Sequence, residues 1–232
     1  MKKAIRKLIL GKYEHTREPQ VRTSDRRQQN LRSIWENEHH DDFGIEKVFR
    51  LFLAGIQFAF PLSHIKHLAE KHGGAHFKDL VVDAMVLTKI AFPLIVLVNG
   101  WQHHPVVYWL IVWFVLETTL YIPALIFASD AMSRPRSYRR SMLLVFLNYL
   151  ETIAAFAVFY AAGPHLSPAP ADWFDSLYFS VTTASALGMG DFVPVTATGK
   201  VLVICQQVLF LLFVIIFLNY FSANMERRGY FQ

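Results

Sequence analysis

Apolar residues gather in long unbroken runs along this chain instead of alternating with polar ones. Four runs, at 79–98, 105–128, 141–162 and 200–221, each contain at least 20 residues. At about 1.5 Å of rise per residue, such a helix crosses a hydrocarbon layer of about 30 Å. The pattern therefore predicts an all-α membrane protein with four transmembrane helices. A fifth apolar core, at 51–60, is too short to span and ends at Pro61, with Lys47, Arg50, Lys66 and Lys71 on its flanks. It reads as part of an interfacial amphipathic helical region at 45–78. Residues 1–44 are polar, charged and without apolar periodicity, as expected of a tail. The remaining divisions are a two-helix hairpin at 79–128, a basic linker at 129–140, a third and fourth span within 141–222, and a tail at 223–232.

The connection between the last two spans is the informative part. It runs over 163–200, 38 residues, which is long for a passive loop. Its middle, 172–186, is apolar and aromatic and begins with a helix start signal, Asp172 followed by Asp175. At helical rise, 15 residues reach about two thirds of the way through a bilayer. A helix that enters and cannot cross must turn back, and such backbone is tolerated at membrane depth only inside protein or beside water. Gly188 and Gly190 follow directly. Glycine accepts positive φ, so a segment with glycine at every second position can alternate in handedness and turn successive carbonyls to one side. Repeated about an axis, those oxygens can replace the hydration shell of a cation. The partly negative C-terminal end of the preceding helix favours the same charge.

The stretch 178–200, YFSVTTASALGMGDFVPVTATGK, resembles the pore helix, selectivity filter and outer mouth of the potassium-channel pore domain. The resemblance extends over about 138–222 and includes LNYLE at 147–151. It implies a homotetramer around one pore, with 141–162 as outer helix, 200–221 as inner helix, and monovalent cations, potassium before sodium, held by the backbone of Ala186, Leu187, Gly188, Met189 and Gly190. Asp191 would stand at the outer mouth, and Tyr178, Thr183, Ser185 and Glu151 would support the filter. No cofactor is implied beyond the permeant ion. The family pattern Thr-Val-Gly-Tyr-Gly-Asp is altered at two informative places. Ala186 removes the hydroxyl that completes the innermost ion site, and Met189 replaces a tyrosine that braces the filter, so a less tightly braced filter is expected, with a weakly selective sodium and potassium channel as the alternative to a potassium channel.

Composition agrees with a membrane chain: 53% of residues are hydrophobic and 18% charged, against about one quarter charged in soluble domains. The net charge of +5 does not require nucleic acid as a partner. Of the 23 Lys and Arg, 15 lie in residues 1–78, four in 134–140 and two at 227–228, whereas 99–105 and 163–199 contain none. By the positive-inside rule both termini and the 129–140 linker face the cytoplasm of a cell membrane.

Several residues carry two readings. Gly-x-Gly-Asp also occurs in intramembrane aspartyl proteases, where Asp191 would need a second carboxylate such as Asp83. The chain lacks the lysine that follows this aspartate in prepilin peptidases and the tyrosine that precedes the partner in presenilin-type enzymes. Asp83, Lys89, Glu117 and Glu151 are costly in lipid and should face protein or water. Either Glu151 acts on the filter from behind, or Lys89 pairs with Glu117 or Glu151 and fixes helix packing. His64, His67, His72 and His76 have helical spacing suited to a metal or to pH sensing, or are simply solvated. Tyr178 either donates to Asp191 or only packs. Leu211, Val214 and Leu218 either form an inner hydrophobic gate or face the outer helix. Cys205 is expected to be a small packing residue.

Overall fold

Proline opens two of the long helices, in the position where its missing N–H costs nothing. The computed structural model describes residues 29, 31–36, 43–56, 61–127, 138–188 and 190–226. In order these form α1 (Gly44–Ile56), α2 (Pro61–Val98), a short 3-10 turn (Trp101–His103), α3 (Pro105–Phe127), α4 (Tyr138–Ala161), β1 (Leu166–Ser167), α5 (Trp173–Ala184), β2 (Val193–Pro194) and α6 (Ala197–Glu226). Contacts divide the chain into two units, Met1–Met85 with Phe127–Ser133, and Val86–Ile126 with Arg134–Gln232.

In the first unit, α1 is amphipathic with its apolar stripe outward. Ile45, Val48, Phe49 and Phe52 are exposed, whereas Arg50 and Leu53 are buried. The expected division at 78/79 falls inside α2, which runs from Pro61 to Val98 without a break and passes through Gly73 and Gly74. Residues 57–60, most of the 1–44 tail and most of the 129–140 linker lie outside the described residues, as do the side chains of His64, His67, His72 and His76. Among the described residues no group of His, Cys, Asp and Glu could hold a metal.

In the second unit α4 is the central element. Every residue from Glu151 to Tyr160 is buried, and its alanines, Ala154, Ala155 and Ala157, let neighbouring backbones approach closely. One apolar core joins Val96 and Leu97 of α2, Ile111 and Val115 of α3, the Ala155–Tyr160 stretch of α4, Phe179 of α5 and Leu209 of α6. A smaller core joins Val145, Phe213 and Ile216. The connection between α4 and α6 is closed at its base by a two-residue antiparallel pair, with Leu166 opposite Pro194 and Ser167 opposite Val193.

Three helical segments among the described residues are long and apolar enough to cross a membrane: Asp79–Val98, Arg139–Ala161 and Ala197–Leu218. In α3 the apolar described part is the shorter Pro105–Leu120. Helices α4 and α6 begin three residues before the expected 141 and 200. For α6 the reason is Thr196, whose Oγ1 accepts from the Gly199 backbone N–H at 3.0 Å and caps the first turn.

Candidate functional site

Helix α5 starts where its sequence says it should. The Asp172 carboxylate accepts from the N–H groups of Phe174 (2.8 Å) and Asp175 (3.0 Å), and Asp175 reaches back to the N–H of Ala171 at 2.7 Å. These reciprocal bonds satisfy donors that a helix start leaves open.

Its C-terminal end is closed as completely. The Ser185 N–H reaches the Val181 carbonyl (2.9 Å), the Ala186 N–H that of Thr183 (3.0 Å), and the Leu187 N–H that of Thr182 (3.0 Å). The last two are the paired bonds of a Schellman motif, which places its closing residue in the left-handed region. That residue is Ala186, with φ of 55°, where glycine is the usual occupant. The Ala184 carbonyl accepts from the Tyr149 hydroxyl at 2.7 Å, so all of the last four helix carbonyls are used. The Ser185 hydroxyl also folds back, donating to the Val181 carbonyl at 2.8 Å. It therefore does not replace the threonine hydroxyl that Ala186 lacks.

Beyond this cap the backbone changes hand. Positive φ recurs at Ala186 (55°), Gly188 (58°) and Gly190 (85°), every second residue, as the glycine spacing predicts. Among the described residues the carbonyls of Ser185 through Gly188 and of Gly190 accept no hydrogen bond, and these residues are exposed. Met189 lies outside the described residues. Tyr178 does more than pack: its hydroxyl donates to the Asp191 carboxylate at 2.7 Å, tying α5 to the far end of the stretch. This bond holds the phenol pKa above its ordinary value.

Two residues not singled out in the sequence, Gln206 and Tyr160, brace α5 from behind through its own Ser180. Gln206 of α6 donates from Nε2 to the Ser180 carbonyl (3.0 Å) and to its Oγ (2.8 Å). Its Oε1 accepts from the Tyr160 hydroxyl at 2.8 Å. Ser180 Oγ in turn donates to the Ile153 carbonyl at 2.7 Å. Gln206, Tyr160 and Ser180 are all buried. The available signal was a carboxamide pair, Gln206–Gln207, inside an apolar span, since buried polar groups in lipid must find partners.

A second buried polar cluster links α2, α3 and α4. Lys89 Nζ lies 2.8 Å from Glu117 Oε2 and 3.8 Å from Glu151 Oε1, and Thr118 Oγ1 donates to the Glu151 carboxylate at 3.0–3.1 Å. The packing role expected of Lys89 is thus realised through Glu117. Glu151 makes no described hydrogen bond to the 186–190 stretch.

Helix α6 has two faces. Gln206, Leu209, Phe213 and Ile216 are buried, whereas Ile204, Val208, Leu211, Ile215 and Leu218 form a stripe at 48–62% exposure. At about 100° per residue these faces are opposite. Leu211 and Leu218 therefore do not pack on α4, and half-buried Val214 lies off the stripe. Cys205 is exposed rather than packed.

Neither the curated proteins nor the solved structures compared with this chain give a match. Residues 143–227 match a family model described as an ion channel. The matched residues take in nearly all of α4, the whole of α5 with its left-handed exit, and α6. The match covers 85 of the 232 residues, and for this C-terminal part of the chain, a long helix, a short helix with its left-handed exit and a second long helix, it supports an ion channel of the potassium-channel pore-domain family.

Proposed function

We propose that the chain assembles as a homotetramer around one pore and conducts monovalent cations, potassium before sodium, through the backbone oxygens of Ala186, Leu187, Gly188, Met189 and Gly190. The observation that carries this reading is the alternation of positive φ at residues 186, 188 and 190, directly after a helix whose own carbonyls are all satisfied. Oxygens that accept no bond within the chain are suited to accept a cation. A short helix with its C-terminal end at this point adds favourable potential. In this reading α5 is the re-entrant pore helix, and α2, α3, α4 and α6 are the four spans, with both termini cytoplasmic. The outward apolar stripe of α1 suits the lipid interface. The stripe of Val208, Leu211, Ile215 and Leu218 lines the inner pore and closes it by dewetting.

The test is cation flux in liposomes containing the purified chain, comparing potassium with sodium and using barium as blocker. Barium-sensitive potassium flux that exceeds sodium flux is expected. Flux of neither ion would refute the reading, and equal flux of both would leave a weakly selective cation channel. Asp191→Asn separates a pore from a protease, because a protease would lose all activity while the pore still assembles and conducts.

A further inference from the structure

The cluster of Lys89, Glu117, Thr118 and Glu151 is short of one positive charge. It contains one ammonium and two carboxylates, at exposures of 5% for Lys89, 6% for Glu117, 3% for Thr118 and 0% for Glu151. Its donors are also too few where they matter. Lys89 serves Glu117 Oε2 and, at 3.4 Å, Thr118 Oγ1, and stands farther off, at 3.8 Å, from Glu151 Oε1, while the one Thr118 proton goes to Glu151. Glu117 Oε1 is buried with no hydrogen-bond partner. An uncompensated charge buried away from water costs far more than one neutral hydrogen bond returns. The charged groups facing the cluster are Lys89 from α2, Glu117 from α3 and Glu151 from α4. Among the described residues α5 and α6 bring none, and the Phe114 ring covers the ammonium at 5.5 Å from its centroid. A metal ion would meet the Lys89 charge at the centre, whereas a proton on a carboxylate does not.

We propose that this cluster is a binding site for one exchangeable proton, shared between the carboxylates of Glu151 and Glu117, and that its occupancy is transmitted to the pore helix. The route is five residues long. Glu151 lies between Tyr149, whose hydroxyl holds the Ala184 carbonyl, and Ile153, whose carbonyl holds Ser180. Adding the proton cancels the excess charge, weakens the pull of Lys89 and Thr118 on Glu151, and so changes the force on the part of α4 that carries α5. The transmission rests on the channel reading; the proton site does not.

The experiment uses the full chain with two readouts. Infrared difference spectra in detergent, taken from alkaline to mildly acidic pH, follow the C=O stretch of protonated carboxyl groups, in a range where exposed carboxylates remain ionised. Wild type should show one titrating band, and Glu151→Gln and Glu117→Gln should each lose it. Lys89→Met should retain it with a proton affinity about tenfold or more higher, since two carboxylates then face each other with no cation between them. No titrating band, a band surviving in both glutamine variants, or an unchanged midpoint in Lys89→Met would overturn the site. Should one glutamine variant not fold, the other and Lys89→Met still decide. In liposomes, wild-type flux should change through the same pH midpoint and the Glu151→Gln flux should not. Wild-type flux that is flat with pH would overturn the transmission. No flux in any variant, with the band intact, would sink the channel reading and leave the proton site standing.

Discussion

Replacing Gln206 by leucine should destabilise the fold through two separate losses. The two bonds donated by Nε2 to Ser180 disappear, and the buried Tyr160 hydroxyl loses its acceptor. A hydrogen bond contributes about 0.5–1.5 kcal/mol net, while a buried hydroxyl without a partner costs about 1–3 kcal/mol. Between helices in a membrane the average side-chain bond is weaker, about 0.6 kcal/mol. The expected cost of Gln206→Leu is therefore about 2–4 kcal/mol, and that of Tyr160→Phe about 1 kcal/mol, because phenylalanine removes the donor and leaves only an acceptor unpaired. In the double variant no orphaned hydroxyl remains. Its cost should fall short of the sum by about 1 kcal/mol, whereas independent sites add within about 0.3–0.5 kcal/mol. Reversible unfolding of all four proteins in mixed micelles measures this coupling. Strict additivity would mean that the Tyr160–Gln206 bond contributes nothing, and the bracing of α5 by α6 would then have to come from apolar packing alone.

Three further outcomes follow from the geometry. Ala186→Gly should raise the unfolding free energy by about 1–2 kcal/mol, the penalty of a left-handed residue that carries a Cβ, and Ala186→Val should lower it, both by the same unfolding assay. Gly199→Ala should lower thermal stability by about 1–3 kcal/mol, typical of overpacking, since its Cβ would lie 2.9 Å from the His165 carbonyl; a neutral result would show that the base of the connection yields. Because Asp191 holds the Tyr178 pKa up, their bond stabilises the protein fully below the ordinary phenol pKa of about 10 and is lost as pH rises through the folded value. Thermal melts at alkaline pH should show wild type losing this increment and Tyr178→Phe unaffected by it.

Three of the long apolar helices, the short helix after Asp172 and the alternation at the glycines were legible in the sequence because each depends on local quantities. Run length decides whether a helix can cross a bilayer, Asp172 caps its own helix, and the freedom of Gly188 and Gly190 is intrinsic to glycine. Faces and partners were not legible. Over 208–218 helix α6 is apolar all round, so no periodicity separates the buried face of Leu209, Phe213 and Ile216 from the exposed stripe of Leu211 and Leu218. Which carboxylate Lys89 meets, and that Gln206 reaches Ser180 across 26 residues, depends on which helices become neighbours. The left-handed turn at Ala186 belongs to the same class. Alanine does not choose that conformation by itself, and it is held there by the bonds to Thr182 and Thr183. Sequence alone thus determined what each segment could be, because hydrophobic length, capping and glycine act within a few residues. Tertiary structure decided which polar groups meet and which apolar face stays open, because those outcomes depend on atoms far apart along the chain.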